Sequence, residues 1–144
     1  MRDDAEARAL AQMLQLKRLQ AMVERRQALA AAARVEAVDR QIGSIGERMA
    51  READSLAEPA DAPALGRWSD LMDAKRAALC ERRVGEQRQA EALAVRAAEA
   101  DTAAERYREL LKERQRRLAD MKRRARERAE WEALAVLLTP PPRQ

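Results

Sequence analysis

Histidine and phenylalanine are absent from this chain of 144 residues, and aromatic side chains make up only 2% of it. It has one cysteine, four glycines and five prolines. Each shortage excludes something. Without histidine there is no Ser/His/Asp or Cys/His nucleophile pair and no histidine-based zinc site. A lone Cys80 makes no internal disulfide, which points to a reducing cytoplasmic setting. Beside Leu79 it reads as a small apolar packing residue, although Arg82 and Arg83 stand near enough in sequence to favour a thiolate. The four glycines never reach the spacing of a phosphate-cradling loop. Six Val, two Ile and two Thr are too few for a sheet, which favours β-branched residues. No run approaches the ~20 apolar residues of a membrane span, so no membrane insertion is expected. The Met1-Arg2-Asp3-Asp4 opening lacks the apolar stretch of a signal peptide. Carboxylates such as Glu109 and Glu113 have arginines three or four residues away and read as solvated helix pairs. The chain reads as a non-enzyme that needs no cofactor.

What is present is helix-forming material. Charged residues are 38% of the chain, and 33 alanines supply about half of its 47% hydrophobic residues. Alanine has the best helix propensity and almost no bulk to bury. Such a composition favours long helices or a coiled coil over a compact globule. Two places break the pattern: Glu58–Gly66 holds Pro59, Pro63 and Gly66, and the end of the chain holds Pro140, Pro141 and Pro142. Proline inside a helix costs about 3 kcal/mol. These breaks predict helix 1 over 3–57, a connecting loop over 58–66, a longer helix 2 over 67–138 and a Pro-rich tail over 139–144. Asp3 with Glu6 resembles a capping box at the start of helix 1. The rods would be about 80 and 110 Å long.

Helices of that length need a partner, and a heptad seam supplies one. In helix 1 Leu14, Ala21, Ala28, Val35, Ile42, Met49 and Leu56 recur every seven residues. Ala31, Val38 and Ile45 fill the offset position, which Lys17, Glu24 and Glu52 interrupt. In helix 2 one series is Ala90, Ala97, Ala104, Leu111, Leu118 and Ala125. The other is Met72, Leu79, Leu93, Ala100, Tyr107 and Met121. The short break predicts an all-α fold, a long antiparallel two-helix coiled coil formed within one chain. Folding about residue 62 sets residue i opposite roughly 125 − i, so that Leu56 meets Trp68 or its neighbour and Ile45 meets Leu79. A slip of half a heptad is the alternative register. Gly43, Gly46 and Gly85 read either as tolerated weak points or as a shared bend.

Helix 1 runs out before helix 2 in this scheme, leaving about fourteen residues of helix 2 without a partner, including Trp131, Leu134, Leu137 and Leu138. Just before them lies a charge cluster. Between Lys112 and Arg128 there are nine basic residues against three acidic ones, an excess larger than the whole chain's +4. It reads as a solvated helix face, as a contact for an acidic protein surface, or as a nucleic-acid or anionic-membrane contact. Single-stranded nucleic acid would want stacking aromatics among the cations, and the cluster has none.

These residues carry a family resemblance. A basic helical hairpin with a Trp opening helix 2 after a Pro/Gly break resembles the FliJ/YscO (SctO-type) group, the central stalk proteins of type III secretion. Leu14–Ala32 (LQLKRLQAMVERRQALAAA) resembles the YscO-type opening, Arg67–Leu79 (RWSDLMDAKRAAL) is similar to the Trp-led stripe of FliJ, and Arg123–Ala135 (RRARERAEWEALA) is similar to the basic ends of both. The resemblance implies a cytoplasmic stalk, peripheral to an inner-membrane apparatus, that docks on a hexameric secretion ATPase and links it to an export gate protein and to export chaperones. It implies that Leu10–Val23 and Leu118–Leu138 meet the ATPase, through Arg116, Arg117, Lys122, Arg123, Arg124, Arg126, Arg128, Trp131 and Leu134. It further implies a gate-facing stripe of Trp68, Leu71 and Met72. Ala74 and Ala78 stand where FliJ carries larger apolar residues, and Trp68 reads equally as a plug over the bend. The alternatives from other classes are a basic coiled coil that binds nucleic acid and a homodimeric tether paired through the same seam.

Overall fold

In a computed structural model, residues 2–55 and 62–142 are described. Two helices account for nearly all of them: α1 (Arg2–Ser55) and the longer α2 (Ala62–Leu138). The chain is an all-α helical hairpin whose two helices pack against each other. Two compact units divide it, one of residues 1–19 with 101–144 and the other of residues 20–100.

The helix ends correct the expected boundaries. α2 begins at Ala62, five residues before the expected start at 67, and takes in Pro63 and Gly66. Proline is a breaker only where its missing N–H and its ring meet a preceding turn; in the first turn that N–H has no partner anyway. The expected last residues of helix 1, Leu56 and Ala57, lie outside the described residues, as do 58–61 of the loop and the Leu56–Trp68 pairing. At the other end Thr139 closes α2, its N–H and hydroxyl donating to the Ala135 carbonyl at 3.0 and 2.6 Å. The following prolines bar another turn. Asp3 is not a cap: α1 is already helical at Arg2. Asp3 and Asp4 instead place negative charge in the first turn, where the helix dipole favours it.

In the unit of residues 20–100, the covered positions of α1 are Ala21, Glu24, Ala28, Ala31, Val35, Val38, Ile42, Ile45, Met49 and Glu52, with Ala37 and Gly46 half-buried beside them. They alternate in steps of three and four, as the heptads predict. Ala31 is 0% exposed and Val38 2%. From α2 the covered residues include Met72, Leu79, Glu86, Ala90, Leu93, Ala97 and Ala100. Glu86 does not show in a series traced through apolar residues, yet it holds the seventh position between Leu79 and Leu93. Its carboxylate accepts a hydrogen bond from Arg34 at 3.1 Å.

Three cross-helix ion pairs fix direction and register in this unit: Glu24–Arg96 at 3.2 Å, Arg34–Glu86, and Asp39–Arg83. Rising numbers on α1 meet falling numbers on α2, so the helices are antiparallel. The expected register sets Glu24, Arg34 and Asp39 opposite roughly 101, 91 and 86, about a turn further along α2 than the partners found. The earlier start of α2 accounts for the direction of this shift, since the point midway between Ser55 and Ala62 precedes residue 62.

Glu24 occupies a seam position and has one carboxylate oxygen on Arg96, while its other oxygen is buried without a hydrogen-bond partner. Truncating one member of such a pair strands the other, whereas removing the charge from the seam relieves it. Arg96→Ala is therefore expected to lower the urea midpoint by an amount equivalent to about 1–2 kcal/mol. Glu24→Leu should leave it unchanged or raise it.

In the unit of residues 1–19 with 101–144, Leu14 is buried and Leu10 and Lys17 are half-buried on α1. Ala104, Tyr107, Leu111, Arg114 and Leu118 are half-buried on α2. The Lys17 ammonium stands 5.9 Å from the centre of the Tyr107 ring, a cation–π distance. Arg114 is a second charge at a seam position and pairs with both Asp3 and Glu6 of α1.

The last members of the two α2 series, Met121 and Ala125, are exposed. The heptads continue there, but among the described residues α1 does not reach them. Among the described residues, no helix is long and apolar enough to cross a membrane. Cys80 is exposed rather than packed, because it follows the seam residue Leu79 by one position and one residue of helix turns the side chain about 100° away.

Candidate functional site

The last turns of α2 are where this fold leaves chemistry available. Every residue from 119 to 142 is exposed. Trp131 is 72% and Leu138 81% exposed, and Leu134, Val136 and Leu137 are exposed with them. Trp131, Leu134 and Leu138 follow i, i+3, i+7 spacing and so share one helix face. That spacing is the anchor pattern of a helix laid in an apolar groove.

The cations around this end fall into two groups. Arg117 donates to Glu113 at 2.6 Å, and Arg123 bridges Asp120 at 3.3 Å and Glu127 at 3.9 Å. These are local i, i+3 and i, i+4 pairs in water, worth a few tenths of a kcal/mol each. Glu109 likewise pairs with Lys112 at 3.6 Å. Arg116, Lys122, Arg124, Arg126 and Arg128 have no ion pair among the described residues. The structure thus brings all nine residues expected at this end onto one stretch of exposed helix. They are spread around its circumference and do not form a pocket.

Beside them is an open groove of about 510 Å³, walled by Leu10 and Met13 of α1 and by Leu110, Glu113 and Arg117 of α2. Sequence reasoning missed it. Met13 and Leu110 stand next to seam residues rather than on the seam, and the signal available was only that they are large and apolar in a chain with few such residues.

The residues expected near the bend belong to the other unit and divide among themselves. Leu71 is exposed and Trp68 half-buried, whereas Met72 is 4% exposed and packs in the seam. Its membership of a heptad series already implied this, and it leaves Met72 no surface to offer a partner. Among the described residues, no group of three or more histidine, cysteine or carboxylate side chains is placed to hold a metal ion.

No family model, curated protein or solved structure matches the chain.

Proposed function

We propose that the chain is a non-enzymatic stalk or adaptor of a type III secretion machine, flagellar or injectisome, docking by the α2 end on the hexameric secretion ATPase and linking it to the export gate and its chaperones. The resemblance of the three segments quoted above to the FliJ/YscO group motivates the reading. The single observation that supports it best is the exposed end of α2, where five cations without an ion pair among the described residues and an exposed Trp131 follow one another on a helix that α1 no longer covers. Cations leading up to an exposed Trp suit a protein partner, since Trp and Arg are among the side chains most enriched at binding hot spots. A rod so attached would act by geometry, passing the position of the ring to whatever meets its other end.

Reversing Arg123, Arg124 and Arg126 to Glu is expected to abolish co-purification with the ATPase of the same secretion system in a pull-down, while helix content by circular dichroism stays the same. Undiminished co-purification would remove this end from the interface. The cations of this end also suit a nucleic-acid backbone. If that were their role, affinity for duplex DNA would fall steeply between low and moderate salt in a filter-binding titration, and the reversal would flatten the slope.

A further inference from the structure

We infer that the exposed end of α2 is also a self-pairing surface, on which a second copy of this chain lies antiparallel about residue 122. α2 carries a second stripe, distinct from the seam that packs on α1. It opens with Leu110 and closes with Trp131, Leu134 and Leu138. Between them Glu113, Arg117, Asp120, Arg124 and Glu127 continue the same alternation of three- and four-residue steps. That alternation places the whole stripe on one face of a helix, as in a coiled-coil seam.

The charges along the stripe alternate in sign, and their order selects the pairing. Two copies running parallel and in register would set Arg117 on Arg117, Arg124 on Arg124 and each carboxylate on itself. Running antiparallel about residue 122, they set Arg117 opposite Glu127, Asp120 opposite Arg124 and Leu110 opposite Leu134. Each of these contacts occurs twice by the two-fold symmetry, as an isologous interface requires. Trp131 then falls opposite Glu113, over the groove that Leu10, Met13 and Leu110 wall.

Little stands in the way of this arrangement. Arg124 has no ion pair among the described residues. Arg117 gives up only an exposed local pair to Glu113, and Asp120 and Glu127 only exposed local pairs to Arg123, and such pairs are worth a few tenths of a kcal/mol. Seam charges of opposite sign set partner and orientation in coiled coils generally. The pairing depends on this chain alone and is independent of what else the α2 end binds.

The test is the mass of the full chain by sedimentation equilibrium from micromolar to millimolar concentration. The expected result is a concentration-dependent rise from 16.3 kDa towards twice that value. Arg117→Glu with Arg124→Glu makes the centre of the stripe wholly acidic and is expected to weaken the dimer about tenfold or more. Adding Asp120→Arg and Glu127→Arg re-creates the complementary order and should bring the dimer back. All four positions are exposed, so circular dichroism should be alike in the three proteins. A mass of 16.3 kDa at every concentration overturns the proposal, as does a dimer indifferent to the double reversal. Loss on reversal without recovery in the fourfold variant overturns the antiparallel register and points to a different basic-surface contact.

Discussion

Val38→Asp is expected to lose most of the helical signal at temperatures where the parent is folded. Val38 is 2% exposed, among the most buried side chains of the α1 seam. Removing its burial costs about 1.5–3 kcal/mol. The carboxylate that replaces it would be buried in a seam flanked by Val35 and Ile42, and a carboxylate desolvated without a partner costs more again. Together these place the change at about 3–5 kcal/mol, in the range where a marginally stable chain unfolds. Leu29→Asp is the control. Leu29 is 71% exposed on the same helix, and a substitution there should move the thermal midpoint little, within about 0.5 kcal/mol. Similar midpoints for the two variants would mean that the α1 seam does not face α2 at Val38.

The second large effect has the opposite sign. Gly43, Gly46 and Gly85 lie inside helices, and no glycine among the described residues has a positive φ. A Cβ added at any of the three would meet nothing within 4 Å. Nothing steric requires glycine there. Each should gain about 0.8–1.0 kcal/mol on conversion to Ala, because glycine surrenders more backbone entropy on entering a helix. With no shared contacts the gains should nearly add. The triple variant is expected to be more stable by roughly 2–3 kcal/mol in a urea titration. A triple variant no more stable than its parent would show that these positions need a backbone freedom alanine lacks. If the gain appears while binding or secretion falls, the glycines serve as a joint.

Much of this hairpin can be read from the heptads. The positions the two series name between Leu14 and Glu52, polar interruptions included, are all covered on α1, and only Ala37 and Gly46, each next to a seam residue, are covered besides. What the sequence misplaces has identifiable causes. Pro63 looks like a stop, yet proline at a helix start breaks nothing, so α2 begins earlier and the cross-helix pairs move by about a turn. Glu86 and Arg114 escape a series traced by apolar residues, because a long charged side chain can hold a seam position with its stem covered and its head paired at the edge. Met121 and Ala125 fail for the contrary reason: the pattern continues where the partner does not. At the candidate site, the exposure of Trp131 and the crowding of cations follow from counting along the two helices. The groove of Met13 and Leu110 depends on how the helix flanks meet across the seam, which periodicity along either strand of sequence does not contain.

The alanines of the seam have a thermodynamic consequence. Ala21, Ala31 and Ala97 are buried, but each takes only a methyl group out of water. Melting such a seam returns little apolar surface to solvent, and it is newly hydrated apolar surface that gives unfolding its positive heat-capacity change. The stability curve of this chain should therefore be shallow in temperature, varying gently on either side of its maximum.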